Sequence, residues 1–125
     1  METKNVRTIA ILSHSGAGKT TLAEVMLFKA GAVTRQGKIE EGNTVSDYSS
    51  DEIERKISIN ASMLYCDWKD KRIYFADTPG YADFIGEVFS AVEAVDAVIV
   101  LVDGVSGIEV GTDRIWKILE RKNLP

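Results

Sequence analysis

Ser13-His14-Ser15-Gly16-Ala17-Gly18-Lys19-Thr20 is the stretch that decides the reading of this chain. Before it, residues 7–12 (Arg-Thr-Ile-Ala-Ile-Leu) are apolar and β-branched, the pattern of a short buried strand. After it, from Lys19 to about Ala30, Leu22, Val25, Met26 and Ala30 recur at helical spacing, and Gly31 supplies a stop. Glycines between a strand and a helix let the backbone curl until successive N–H groups face one concavity, which suits phosphate oxygens. The helix N-terminus adds its partial positive charge. Lys19 is positioned to reach the β- and γ-phosphates of a nucleotide as a flexible point charge, and the Thr20 hydroxyl to ligate Mg²⁺. The segment departs from G-x-x-x-x-G-K-[ST] at its first position, which is Ser13. A glycine-rich turn with an unrelated lysine is the competing reading, and the flanking strand and helix weigh against it.

Further along, the chain alternates. Gly31 to Lys56 has no clear periodicity and carries Glu40, Glu41, Asp51, Glu52 and Glu54, which read as a solvated acidic surface. Ile57 to Tyr65 reads as a half-solvated strand, with Ile57, Ile59, Ala61, Met63 and Tyr65 on one face. Asp67 to Asp70 turns it back into a second strand, Arg72 to Ala76, as a hairpin. A helix is expected over about Phe84 to Ala94, with Ile85, Val88, Phe89 and Val92 as its stripe. Ala97 to Val102 is apolar throughout and reads as a central strand. Thr112 to about Lys122 is a last helix with Ile115, Ile118 and Leu119 inward. Strands alternating with helices predict an α/β sandwich around a mostly parallel sheet, with the 57–65 strand antiparallel. Asp77-Thr78-Pro79-Gly80 then falls at the carboxyl end of a strand, where such sheets place ligands. There Asp77 can hold a water of a Mg²⁺ shell, and Gly80 can bring a backbone N–H close to a γ-phosphate. A plain turn is the alternative for Thr-Pro-Gly.

Composition narrows the classes. The chain has 125 residues, 45% hydrophobic and 27% charged, enough for one globular domain and too ordered a mix for a disordered segment. A net charge of −4 with no basic block argues against direct DNA binding or an anionic membrane surface. The longest apolar run, Ala97 to Val102, is too short to span a bilayer, and no signal peptide is evident near Met1. The one cysteine, Cys66, reads as a half-buried hydrophobe and fits a reducing, cytoplasmic setting. Trp68 and Trp116 read as packing groups.

The 13–20 segment, Glu54-Arg55-Lys56-Ile57-Ser58-Ile59, Trp68-Lys69-Asp70 and Asp77-Thr78-Pro79-Gly80-Tyr81-Ala82-Asp83-Phe84 together resemble the start of the GTPase domain of translational GTPases, most closely elongation factor G. Asp103 to Gly107 and Lys122-Asn123-Leu124-Pro125 share the likeness. The resemblance implies a P-loop NTPase (G-domain) three-layer sandwich, here cut after about four strands and before the base-reading segment. It implies a phosphate loop at 13–20, a first switch at about 31–59 and a second at about 77–86. Nucleotide contacts fall on His14, Ser15, Gly16, Ala17, Gly18, Lys19, Thr20, Thr21, Asp77 and Gly80, and the Mg²⁺ set on Thr20, Ser58 and, through water, Asp77. GTP and GDP are the implied ligands and the ribosome the implied partner. A sheet ending at Ala97–Val102 would leave an open edge, so self-association of the chain is expected.

Four positions depart from the family. Lys56 and Ser58 stand where it has glycine and threonine, and serine keeps the ligating hydroxyl. Gly16 stands where elongation factor G has aspartate. Tyr81 replaces the histidine that orients the attacking water, so slow turnover is expected of a catalytic set formed by Lys19, Gly80 and Tyr81. His14, the only histidine, is expected to serve the phosphate loop structurally rather than as a base. A hydrolysis-poor nucleotide switch and a P-loop ATPase of another lineage are the alternative functions.

Overall fold

The structure, a computed structural model, describes residues 2–80 and 84–125, so Tyr81, Ala82 and Asp83 lie outside the described residues. Four strands, β1 (Val6–Ser13), β2 (Ser62–Trp68), β3 (Lys71–Asp77) and β4 (Ala97–Leu101), form one sheet in the order β2-β3-β1-β4. β1 pairs in parallel with β3 and β4, and β2 is antiparallel to β3. Helix α1 (Lys19–Lys29) covers one face, where Ile11, Ala23, Leu27, Leu64, Cys66 and Phe75 form a core. Helices α3 (Ile85–Glu93) and α4 (Val110–Lys122) cover the other, over Ala10, Leu12, Ala76, Val88, Val92 and Ile115. This is the expected three-layer sandwich with one antiparallel strand.

The long 31–56 segment is more structured than its lack of periodicity suggests. It holds a 3-10 turn (Ile39–Glu41) and the short helix α2 (Ser50–Arg55). α2 starts on a reciprocal capping box, Ser49 with Glu52, and ends at Lys56 in the left-handed region at φ 55°.

Several expectations need correction. The strand expected from Ile57 begins only at Ser62, and its faces are reversed: Leu64 and Cys66 are buried, while Met63 and Tyr65 are about half exposed. Residues 57–61 find their acceptors elsewhere. Glu52 accepts from the Ile59 and Asn60 N–H groups and Glu87 from that of Ala61, so this stretch has no ladder to join. Glu52 is therefore buried, unlike Glu40, Glu41, Asp51 and Glu54, which are exposed as expected. In α1 the fully buried positions are Ala23 and Leu27 with Thr20 and Glu24, one step from the expected stripe. In α3 Phe89 points outward and Ala91 takes its place. Cys66 is buried outright, and Trp68 and Trp116 are half exposed.

β4 lies at the sheet's edge rather than its centre, because it pairs with β1 alone and β3 and β1 are the two inner strands. The Val98 N–H on that edge donates to the Pro125 carbonyl.

Candidate functional site

Parallel pairing sets the site. Ile11 near the end of β1 is in register with Asp77 at the end of β3, so the loops that follow both strands emerge side by side. Thr78 Oγ1 donates to the Ile11 carbonyl at 2.8 Å and pins the second loop to the first strand. In the first loop Gly16 (φ 79°) and Gly18 (φ 94°) adopt the left-handed conformation that glycine takes without strain. Gly18 immediately precedes α1, and no side chain caps that end. The first N–H groups of the helix thus have no intrahelical or capping acceptor, and they edge a cleft of about 380 Å³. Ser15, Gly16, Lys19, Thr20, Thr21, Ser58 and Gly80 are among the residues that line it.

Lys19 is nearly buried, and its Nζ donates to Ser13 Oγ at 2.9 Å. Burial lowers its pKa, against the raising pull of Asp77 and Asp47. Ser13 is thus the lysine's hydrogen-bond acceptor, a role that a motif written with glycine there gave no reason to expect. Gly80 sits hard against this corner: a Cβ on it would lie 2.6 Å from Lys19 Nζ and 2.6 Å from Ser15 Cα. Only glycine fits.

Below the lysine lies a cluster of oxygens. Thr20 Oγ1 donates to Asp77 Oδ2 at 2.6 Å, and Ser58 Oγ donates to Asp47 Oδ1 at 2.7 Å. Each hydroxyl has one proton, and each gives it to a carboxylate. The 3.2 Å approach of Thr20 Oγ1 to Ser58 Oγ is therefore lone pair to lone pair. Asp77 Oδ1 is also buried with no hydrogen bond of normal geometry among the described residues, and the buried Ser46 hydroxyl, likewise without one, is near enough to lower the Asp77 pKa. Two facing hydroxyl lone-pair sets and an orphaned carboxylate oxygen form a hard-oxygen donor set, which fits a small divalent cation. Burial raises the pKa of both Asp77 and Asp47, against the lowering effect of the hydrogen bonds from Thr20 and Ser58. Among the described residues no three His, Cys, Asp or Glu side chains converge as a metal site, so a cation here needs hydroxyls and ligand oxygens as well. Asp47 has no sequence motif and was found only through Ser58.

Three candidate residues are not in the lining of the cleft: Asp77, which is joined to it through Thr20, and His14 and Ala17. His14 faces α4: its Nδ1 accepts from the Gly111 N–H at 3.2 Å, and Nε2 lies 3.6 Å from Glu109. With that lone pair engaged, the ring links the loop to α4 beside a second cavity of about 370 Å³. Ala17 is not among the residues lining the 380 Å³ cleft.

Residues 4–125 match the family described as the elongation factor Tu GTP binding domain. Proteins named mitochondrial ribosome-releasing factor 2 are 43% identical over 98% of the chain in Culex quinquefasciatus and 46% over 97% in Drosophila grimshawi. The chain spans 16% of the length of each of these relatives. A crystal structure from Thermus thermophilus superposes with a TM-score of 0.93 at 41% identity, covering 95% of this chain and 18% of that one. Translation elongation factor SelB of Methanococcus maripaludis, solved with the GTP analogue GppNHp, gives 0.68 at 26% identity, covering 100% and 21%. With its phosphate-type loop, its oxygen cluster and a match over nearly its whole length, the chain belongs to the family of elongation factor Tu GTP-binding domains.

Proposed function

We propose that this chain binds GTP and GDP at the 13–20 loop and hydrolyses GTP as the nucleotide-binding part of a ribosome-associated translation factor like elongation factor G. The observation that carries the proposal is the oxygen cluster of Thr20, Ser58 and Asp77 beneath Lys19 and Gly80. It joins the phosphate loop to the two segments proposed as switches, 31–59 and 77–86.

Thr20 and Ser58 would hold Mg²⁺ through their hydroxyls, with Asp77 acting through water. Bound there, Mg²⁺ supplies charge neutralisation at the phosphates. Lys19 supplies a second positive charge, and the N–H groups from Ser15 to Thr21 cradle the phosphate oxygens. Gly80 brings the start of the second switch close enough to respond to a terminal phosphate. Tyr81 stands where the resemblance implies a water-orienting histidine, and we expect slow hydrolysis from it. A P-loop ATPase of another lineage is not favoured by the family match. A hydrolysis-poor switch remains the second reading, on Tyr81 alone.

The relatives' names motivate the ribosome as partner and a ribosome-containing compartment, cytoplasmic or, as those names have it, mitochondrial. No helix among the described residues is long and apolar enough to cross a membrane. Titration with fluorescent GDP, GTP and ATP tests the reading. Guanine nucleotides should bind in preference to ATP, and Lys19→Ala should weaken them. Preference for ATP, or full-strength binding by the variant, would overturn it.

A further inference from the structure

Glu24 lies one helical turn after Thr20 on α1, and only 1% of it is exposed. Its partners come from elsewhere in the chain. Oε2 accepts from the Gly37 N–H at 2.8 Å, and Oε1 accepts from the Val45 N–H at 2.6 Å. One buried carboxylate thus holds both ends of the 37–45 loop, using one oxygen for each. The loop is closed on itself as well, since the Lys38 N–H donates to Asn43 Oδ1 at 2.7 Å. Gly37 is required by this arrangement, because a Cβ there would lie 2.8 Å from Glu24 Oε2 and 2.6 Å from the Asn43 carbonyl oxygen.

What the loop carries gives the contact its meaning. Ile39 and Glu40, at its tip, form part of the wall of the phosphate cleft. Two residues beyond Val45 is Asp47, which accepts a hydrogen bond from Ser58 Oγ. Thr20 and Glu24 sit on one face of the same helix, so the element that presents Thr20 to the oxygen cluster also holds the loop that completes it. A carboxylate buried at this depth is costly unless its oxygens are filled, so the Gly37 and Val45 contacts hold the loop in one place.

We propose that Glu24 is a positioning residue: a carboxylate clasp on α1 that seats the 37–45 loop as the outer wall of the phosphate cleft and thereby favours the triphosphate state. The inference rests on the nucleotide reading above for its consequence, and on the Glu24 contacts alone for the clasp.

Glu24→Gln keeps the shape but turns one acceptor into a donor facing an N–H, so one end of the loop must let go. Hydrogen exchange on the 125-residue chain without nucleotide should show the Gly37 and Val45 amides exchanging at least tenfold faster in the variant, with the β1 and β3 amides unchanged. With Mg²⁺ present, affinity for GppNHp should fall at least fivefold more than affinity for GDP. Gly37→Ala, which changes no residue of α1 and pushes on the clasp from the loop side, should reproduce both effects. Unchanged exchange at Gly37 and Val45 would overturn the clasp, as would equal losses for the two nucleotides or a general loss of protection through the sheet in both variants. Should the parent chain bind no guanine nucleotide, the functional proposal falls, and the exchange measurement still decides the clasp.

Discussion

Thr20 Oγ1 donates to Asp77 Oδ2 at 2.6 Å, a contact between residues 57 positions apart in the chain. It exists because β1 and β3 are parallel neighbours whose ends coincide, so each strand delivers its following loop to the same point. The consequence is a helix whose first turn and whose neighbouring strand end form one polar unit. Neither residue would be a site alone.

Lys19 is the cation of that unit, set among Asp77 and Asp47. A charge-assisted contact to phosphate is worth about 1.5–3 kcal/mol, or roughly 10- to 150-fold in affinity. Lys19→Ala should weaken GDP binding within that range, read by fluorescence titration. Thermal unfolding of the apo variant should be followed alongside, because the change leaves two buried carboxylates without their counter-charge.

Lys56 ends α2 at φ 55° and ψ 38°, where a Cβ is strained and glycine is not. Relief of about 1–2 kcal/mol of strain is partly offset by glycine's greater unfolded-state freedom, about 0.4–1 kcal/mol. Lys56→Gly should therefore stabilise the chain by about 0.5–1 kcal/mol and raise Tm by roughly 2–4 °C. A lower Tm would mean that the lysine side chain contributes more than its backbone conformation loses.

Burial alone would raise the pKa of Glu52, but hydrogen bonds from Asn60, Ile59 and Ser49 outweigh it and hold the carboxyl below its ordinary 4.5. A depressed carboxyl adds stability above its unfolded pKa and gives it up as the pH falls through the folded value. Glu52→Gln should lower stability at pH 7 by about 1–3 kcal/mol. Urea unfolding from pH 7 to pH 3 should show the gap between variant and parent narrowing below about pH 4.5. A gap that stays constant with pH would mean that the charge on Glu52 is not what holds residues 59–60.

Tyr81 carries the expectation of slow hydrolysis. General acid–base and water-positioning groups contribute about 10²–10⁴-fold, and a phenol recovers part of that. Tyr81→His should raise ribosome-stimulated GTP hydrolysis by about tenfold or more. Equal single-turnover rates would remove the tyrosine from the catalytic account.

From β4 through the following loop to α4 the chain exposes Ile99, Val102, Ile108, Val110 and Trp116, beside an edge strand that, among the described residues, is bonded on its outer side at Val98. Open apolar edges pair with one another. We expect the 125-residue chain to self-associate in light scattering, and Ile99→Lys to return it to a monomer. A monomeric parent would refute this.

The 13–20 loop was legible in the sequence because its form depends on backbone shape, and backbone shape is written in glycines and in the strand and helix beside them. Asp77 and Gly80 were legible for a similar reason, since a strand end is marked by where the apolar run stops. Asp47, Glu24 and Glu52 were not. Each is an acidic residue in a helix or an aperiodic stretch, where solvent exposure is the ordinary state, and only the approach of distant N–H or O–H groups makes burial tolerable. The reversed faces of β2 have the same origin. Alternation in 57–65 looked continuous, yet carboxylates from α2 and α3 take the N–H groups of residues 59–61 before any partner strand can.

By itself, then, the sequence determined the alternation of strands and helices, the glycine-bearing 13–20 loop and the strand-end aspartate, all of which follow from local period and local backbone freedom. The tertiary structure alone decided which hydroxyls meet, which carboxylates are buried, and that one glutamate on α1 grips both ends of a loop. Those are long-range choices, set by where parallel strands end and by the cost of leaving a buried donor or acceptor without a partner.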